Sequence, residues 1–206
     1  MKDLKRVEEL LVVVDMVNGF IYEGNMKDEY ISHIIPGIKE TIKKFINKLD
    51  REIFFIRDCH KSDAKEFSKF PLHCLDNTSE SEVVDELKEY VSEAREYKKN
   101  STSAMFARGL IEDLNEMENL KRVYVVGCCS DICVLNFALP VVNYFDELNK
   151  SVEVVVIEDL IETYDAPWHK RDEYNEMTYK LLKQAGVVLK SKEEVLNVEE
   201  NKNVRK

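Results

Sequence analysis

Short apolar runs of strand length, rich in Val and Ile, recur at Leu10–Val14, Ile53–Arg57, Val123–Gly127, Val152–Ile157 and Gly186–Lys190, with a weaker one near Ala94–Lys98. Between them the apolar positions fall at helical spacing. Ile38, Ile42, Phe45 and Leu49 form one stripe after Pro36, and Leu110, Leu114 and Met117 form a second. Further helices are predicted over Cys133–Leu148, interrupted by Pro140, and over Asp172–Ala185. Strand runs that are apolar on both faces and alternate with helices imply a parallel sheet with helices on each side, an α/β architecture in three layers. One domain is expected over 1–197, followed by a polar tail over 198–206.

Composition agrees with one folded unit. The 206 residues suit a single core, and 44% hydrophobic and 34% charged residues with only 6 Gly and 4 Pro exclude a disordered chain. A net charge of −10 opposes nucleic-acid phosphates and anionic lipid, and no basic stripe interleaved with aromatics offsets it. The opening MKDLKRVEEL carries acidic side chains and leads into a short apolar run, which fits neither a signal peptide nor a membrane span. A cytoplasmic protein is expected; a small-molecule substrate and a homo-oligomeric assembly are further expectations that composition does not supply. Five cysteines without an export signal favour free thiols over a disulfide framework.

In open parallel sheets ligands bind beyond the carboxyl ends of the strands, which directs attention to Asp15, Asp58, Lys99 and the stretch Cys128 to Cys133. If Cys133 opens a helix, with Ser130 or Asp131 as cap, its thiol meets unpaired N–H groups and the positive helix end, which favour the thiolate. Cys133 is therefore the candidate nucleophile, and Cys128 and Cys129 are read as packing residues of the turn. Free cysteines are more often buried small hydrophobes; it is Asp15, directly after the first strand and placed to act as general base, that shifts the balance. Lys99 would add positive charge, although a solvated lysine beside Lys98 is the plainer reading of that position.

The loop after the second strand, RDCHKSDAKEFSKFPLHC, holds Asp58, His60, Glu66 and His73, two of the chain's four histidines among them. Two imidazoles and two carboxylates can close round one divalent ion, zinc first, with manganese or iron as alternatives. Asp63 could take the place of Glu66.

Together the motifs LLVVVDMVNGF, DCH with FPLHC, K-x-x-x-S-A and GCCSDICV, in that order over about Leu10 to Lys190, resemble the nicotinamidase branch of the isochorismatase-like cysteine hydrolases. The resemblance implies a six-stranded parallel sheet and an Asp–Lys–Cys triad at Asp15, Lys99 and Cys133. It implies a cis peptide at Cys128–Cys129 and an oxyanion hole from the backbone N–H groups of Cys129 and Cys133. Asp58, His60, Glu66 and His73 match the family's metal ligands, and Phe20 and Phe70 its aromatic pocket walls. The implied reaction is hydrolysis of nicotinamide to nicotinate and ammonia through a thioester, in NAD salvage. Departures lie at Thr102 and Met105 around Ser103-Ala104, and at Ser130, and bear on the pocket's shape. Ether hydrolysis is disfavoured, because isochorismatases proper lack the cysteine and the ligand set. Two rivals stand: a sibling amidase for another small amide or ureido compound, and a non-catalytic zinc-binding or thiol-sensing protein, which leaves Asp15 without a role.

Overall fold

The computed structural model describes Asp3 to Asn203, with side chains to Asn197. Six strands, β1 (Glu9–Val14), β2 (Arg51–Asp58), β3 (Arg95–Lys99), β4 (Arg122–Cys128), β5 (Glu153–Glu162) and β6 (Val188–Lys190), form one sheet in the order β3-β2-β1-β4-β5-β6. Every pairing is parallel. The helices are α1 (Asn18–Ile21), α2 (Ile35–Phe45), α3 (Asp85–Val91), α4 (Leu110–Glu116), α5 (Leu135–Glu147), α6 (Arg171–Gln184) and α7 (Lys192–Asn203). No helix among the described residues is long and apolar enough to cross a membrane.

Alternate side chains of each strand point to opposite faces, and the central strands are apolar on both. Leu10, Val12 and Val14 of β1 pack with Phe54, Ile56, Val123 and Val125 against α4, α5 and α6. Leu11 and Val13 pack with Ile53, Phe55, Tyr124 and Val126 against α2, α3 and α7. This two-sided burial explains why the sequence shows continuous apolar runs instead of alternation. β3 read weakly because it is an edge strand in which only Tyr97 and Lys99 are buried.

Several boundaries differ from the sequence pattern. α2 stops at Phe45, because Ile46 turns to extended backbone and Asn47 adopts φ 62°, so Leu49 lies outside the helix and is 74% exposed. β5 continues five residues past Ile157, through the polar pair Glu158-Asp159, where the register against β4 shifts. α7 reaches into the expected polar tail, whose last residues, 204–206, lie outside the described residues.

Pro140 sits inside α5 without breaking it. Proline cannot donate to the carbonyl four residues back, which here is Asn136, and the Ser103 hydroxyl donates to that oxygen at 2.7 Å instead. The Ser103-Ala104 pair thus ties the segment after β3 to the helix that follows the cysteine turn.

The strand order reverses direction between β1 and β4, the switch point at which such sheets open a crevice. Gly127 makes the close approach there possible: its φ is 116°, and a Cβ would lie 2.0 Å from the Val14 carbonyl oxygen.

Candidate active site

Asp15, Asp58, Lys99 and the Cys128–Cys133 turn leave the carboxyl ends of β1, β2, β3 and β4. Asp15 is fully buried and left-handed, with φ 50°, a conformation that a non-glycine residue adopts only where its surroundings enforce it. Its N–H donates to the Ile56 carbonyl at 3.0 Å, and its own carbonyl accepts the Cys128 S–H at 3.2 Å. Asp58 and Lys99 are register partners in the β2–β3 ladder, so both side chains rise on one face. Lys98 points the other way, half exposed and paired with Asp76 at 3.0 Å, which settles which lysine belongs to the site.

Lys99 is the hub. Its ammonium lies 2.8 Å from Asp15 Oδ2, 2.8 Å from Asp58 Oδ1 and 3.6 Å from Cys133 Sγ, with almost no exposure of any member. Burial alone would lower its pKa, but the Asp15 and Asp58 charges outweigh that and hold it well above the ordinary lysine value. Burial raises Asp15 to about 6, with Lys99 pulling down and Asp58 pushing up. The Lys99 ammonium, 2.8 Å from Oδ2, and the Cys133 thiol both act to favour the ionised form of Asp15. A carboxylate held beside a thiol by an ammonium is placed to accept the thiol's proton.

Cys133 departs from the sequence-based expectation in one respect. Burial outweighs the attraction of Lys99, and with the Asp15 and Asp58 charges it drives the thiol well above its ordinary value. The helix end does not deliver a resting thiolate; the site holds a thiol poised to give its proton to Asp15. The expected caps also differ. The helical run starts with a π-turn, Ser130–Val134, whose first residue follows Cys129 with no side-chain cap, while Ser130 and Asp131 bond to other elements. The peptide Cys128–Cys129 is cis.

The four metal candidates come together as expected. Between His60 and His73 the loop folds back on itself: His60 N–H donates to the Cys74 carbonyl at 2.8 Å, and Asp76 N–H to the His60 carbonyl at 2.8 Å. One ligand atom each of Asp58, His60, Glu66 and His73 falls within 4.8 Å of all the others. Glu66, on the short turn Lys65–Ser68, is half-buried, whereas Asp63 is exposed and outside the cluster.

The donor chemistry fits a cation. His73 Nδ1 faces the Pro71 carbonyl at 2.7 Å and His60 Nδ1 faces Asn100 Oδ1 at 3.3 Å, so each Nδ1 has an oxygen to hold its hydrogen. The two Nε2 atoms lie 3.1 Å apart, both about as close to Asp58 Oδ2, at 3.0 and 3.1 Å. Outer N–H bonds to oxygen are the usual orienters of metal-binding imidazoles, and they leave both Nε2 lone pairs and the carboxylate facing one point where a cation would sit. Three carboxylates, Asp15, Asp58 and Glu66, against the one ammonium of Lys99 also leave two negative charges, which a divalent ion balances.

Asp58, Glu66, His73 and Cys133 line a narrow cleft with Phe20, Met26, Phe70, Cys129 and Ile132. Phe20 and Phe70 flank His73, with ring centroids 5.6 and 6.4 Å from its own. Met105 is buried in the same core as Cys133, and neither it nor Thr102 stands in the wall of the cleft. A wider outer cleft shares Met26, Phe70 and Cys129 with the inner one and is rimmed by Tyr164, Asp165 and Trp168. Sequence reasoning missed Met26, Ile132 and Asn100. The apolar pair gave no chemical signal, but Asn100 adjoins Lys99 and was within reach of the strand-end rule.

Activity should follow the charge state of Asp15. A base raised to about 6 works when ionised, so kcat/KM should be level above that pH and fall about tenfold per unit below it. A profile that stays level to pH 4 would remove Asp15 from the role.

With the geometry in place, the likenesses to known proteins are informative. The isochorismatase domain matches residues 9–193. Nicotinamidase 1 of Arabidopsis thaliana is 31% identical over 175 residues, covering 77% of this chain and 71% of that protein. The crystal structure of pyrazinamidase of Pyrococcus horikoshii in complex with zinc superposes with a TM-score of 0.72 at 28% identity, covering 89% of this chain and 99% of that one. N-carbamoylsarcosine amidase from Thermoplasma acidophilum shares the fold, with a TM-score of 0.73 at 22% identity over 90% of this chain and 97% of that one. By the extent of the domain match and the relative at this identity, the chain belongs to the isochorismatase family of hydrolases.

Proposed function

We propose that the protein is a nicotinamidase, an amidohydrolase that converts nicotinamide to nicotinate and ammonia. The observation that carries the reading is the junction at Asp58: one carboxylate bonds the lysine of an Asp–Lys–Cys triad and also completes a cluster of metal donors. Nucleophile and ligand cluster therefore open into one cleft. The similarity to a nicotinamidase and to a zinc-bound pyrazinamidase supports the same substrate class.

The chemistry follows from the positions. Asp15 takes the Cys133 proton, and Lys99 holds the charges of both groups while the sulfur attacks the carboxamide carbon. The N–H groups of Cys129 and Cys133 receive the developing oxyanion. Asp15 returns the proton to the amide nitrogen, which leaves as ammonia with cleavage of the C–N bond. It then takes a proton from water, whose oxygen attacks the thioester; nicotinate departs and the proton returns to sulfur. Asp58, His60, Glu66 and His73 would hold one divalent ion, zinc first, with manganese or iron as alternatives. When bound, that ion supplies a Lewis-acidic position that anchors the pyridine nitrogen. Phe20 and Phe70 confine the ring. The reading carries its setting with it: a cytoplasmic homo-oligomer whose product enters NAD salvage.

The test separates anchoring from chemistry. His60→Ala should bind less than one equivalent of metal and lose nicotinamide hydrolysis, while Cys133 keeps a near-wild-type rate of alkylation by iodoacetamide. Benzamide, which lacks the ring nitrogen, should be a poor substrate of the metal-replete protein. Equal rates on both amides, untouched by chelation, would reject the assignment in favour of a metal-independent amidase of the same family.

A further inference from the structure

Neither polar side chain at the start of the cysteine turn serves the turn itself. Ser130 donates to Asn175 Oδ1 of α6 at 2.5 Å, and Asn175 in turn donates to Glu162 Oε1 at the end of β5 at 2.7 Å. Asp131 receives the Thr163 hydroxyl on Oδ1 at 2.5 Å and His169 Nε2 on Oδ2 at 2.9 Å. The turn that carries Cys129 and Cys133 is therefore gripped from outside, by the segment between β5 and α6.

His169 is the most constrained part of that grip. It is 4% exposed, and its ring lies between Tyr164 and Tyr174, with centroids at 3.9 and 3.6 Å and interplanar angles of 13° and 22°. Its Nδ1 faces the Tyr164 carbonyl at 3.0 Å. Both ring nitrogens thus meet oxygens and both ring faces are covered by aromatic rings, so the imidazole is held at its edges and its faces alike. His169 also closes a small hairpin: its N–H and carbonyl exchange bonds with Ala166 at 3.1 and 2.9 Å, leaving Trp168 at the tip, 79% exposed on the rim of the outer cleft.

We propose that His169 is a positioning residue: clamped between Tyr164 and Tyr174 and bonded to Asp131, it locks the nucleophile turn to the rim of the outer cleft. The direction of Cys133 Sγ toward Asp15 and Lys99, and the aim of the Cys129 and Cys133 N–H groups, both depend on how this turn is rotated. Misplacement on the scale of an ångström is costly to a reaction that needs several groups aligned. The inference rests on Cys133 being the nucleophile of an amide hydrolysis.

The experiment uses the full chain loaded with metal and three variants: His169→Ala, Asp131→Asn, which keeps the size of the side chain, and the double. Each single variant should lower kcat for nicotinamide about tenfold or more. KM should stay within about twofold, and alkylation of Cys133 by iodoacetamide, followed by mass spectrometry, should slow alongside kcat. The double variant should be no slower than the slower single, because both changes break one clasp. A purely structural role would lower the melting temperature and leave kcat per folded molecule unchanged. Wild-type kcat and alkylation rate in folded Asp131→Asn or His169→Ala would overturn the proposal, as would losses that multiply in the double variant. If the wild type released no ammonia from nicotinamide, the substrate reading alone would fail, and the alkylation rates would still decide the clasp.

Discussion

Cys133→Ala should reduce hydrolysis to background, a loss on the order of 10⁴-fold or more, as expected when a nucleophile is deleted from a group that acts as a unit. Cys128→Ala and Cys129→Ser should keep most of the activity. The contrast is a matter of position, since all five cysteines are free and buried. Of the five, Cys133 is the one held against Lys99, at 3.6 Å, and Asp15 pairs with the same ammonium at 2.8 Å. Cys128 faces the backbone of Asp15, so its replacement removes one weak S–H bond from a carbonyl that stays fixed by the sheet. Cys129 contributes its N–H, which serine retains. Brief iodoacetamide treatment read by mass spectrometry should find label first on Cys133. Comparable loss in Cys128→Ala, or first label on Cys128, would move the nucleophile.

The parts of the site that the sequence made legible are those that leave strand ends. Asp15, Asp58, Lys99 and Cys133 follow apolar runs, and a parallel sheet brings its carboxyl ends together whatever the loops do. The metal cluster was legible for a similar reason, since four donors share one loop that β2 starts. Charge state was not legible. Lys99 looked like a solvated neighbour of Lys98, because strand alternation says which of two adjacent residues faces inward only after one of them is fixed by packing. The thiol of Cys133 looked activated by a helix end, because burial, which dominates it, depends on how distant segments pack around it. Contacts between distant segments were invisible: Asp131 meets His169 across 38 positions, and nothing in either local pattern marks the pair. α2 and the stripe at Leu49 mark another limit, where a helical period continued past the residue at which the backbone turned.

Lys99→Met should cost stability as well as activity. The side chain is almost unexposed, and its ammonium lies 2.8 Å from both Asp15 and Asp58. Removing one partner from a buried ionic group leaves the others desolvated and uncompensated, which typically costs about 3–5 kcal/mol. Urea unfolding of chelated protein at neutral pH should show a loss of that size, and Lys99→Met with Asp15→Asn should recover part of it, since one of the stranded charges is then gone. The activity loss has a distinct cause. Lys99 pulls the Asp15 pKa down against burial, so without the ammonium Asp15 moves above about 6 and is protonated at pH values where the wild type is fully active. Its acid limb should therefore shift toward higher pH, and residual activity should rise with pH across the neutral range. A variant within about 1 kcal/mol of wild type, with an unshifted acid limb, would mean that water or the metal ligands already compensate the two carboxylates and that Lys99 is not the hub of the site.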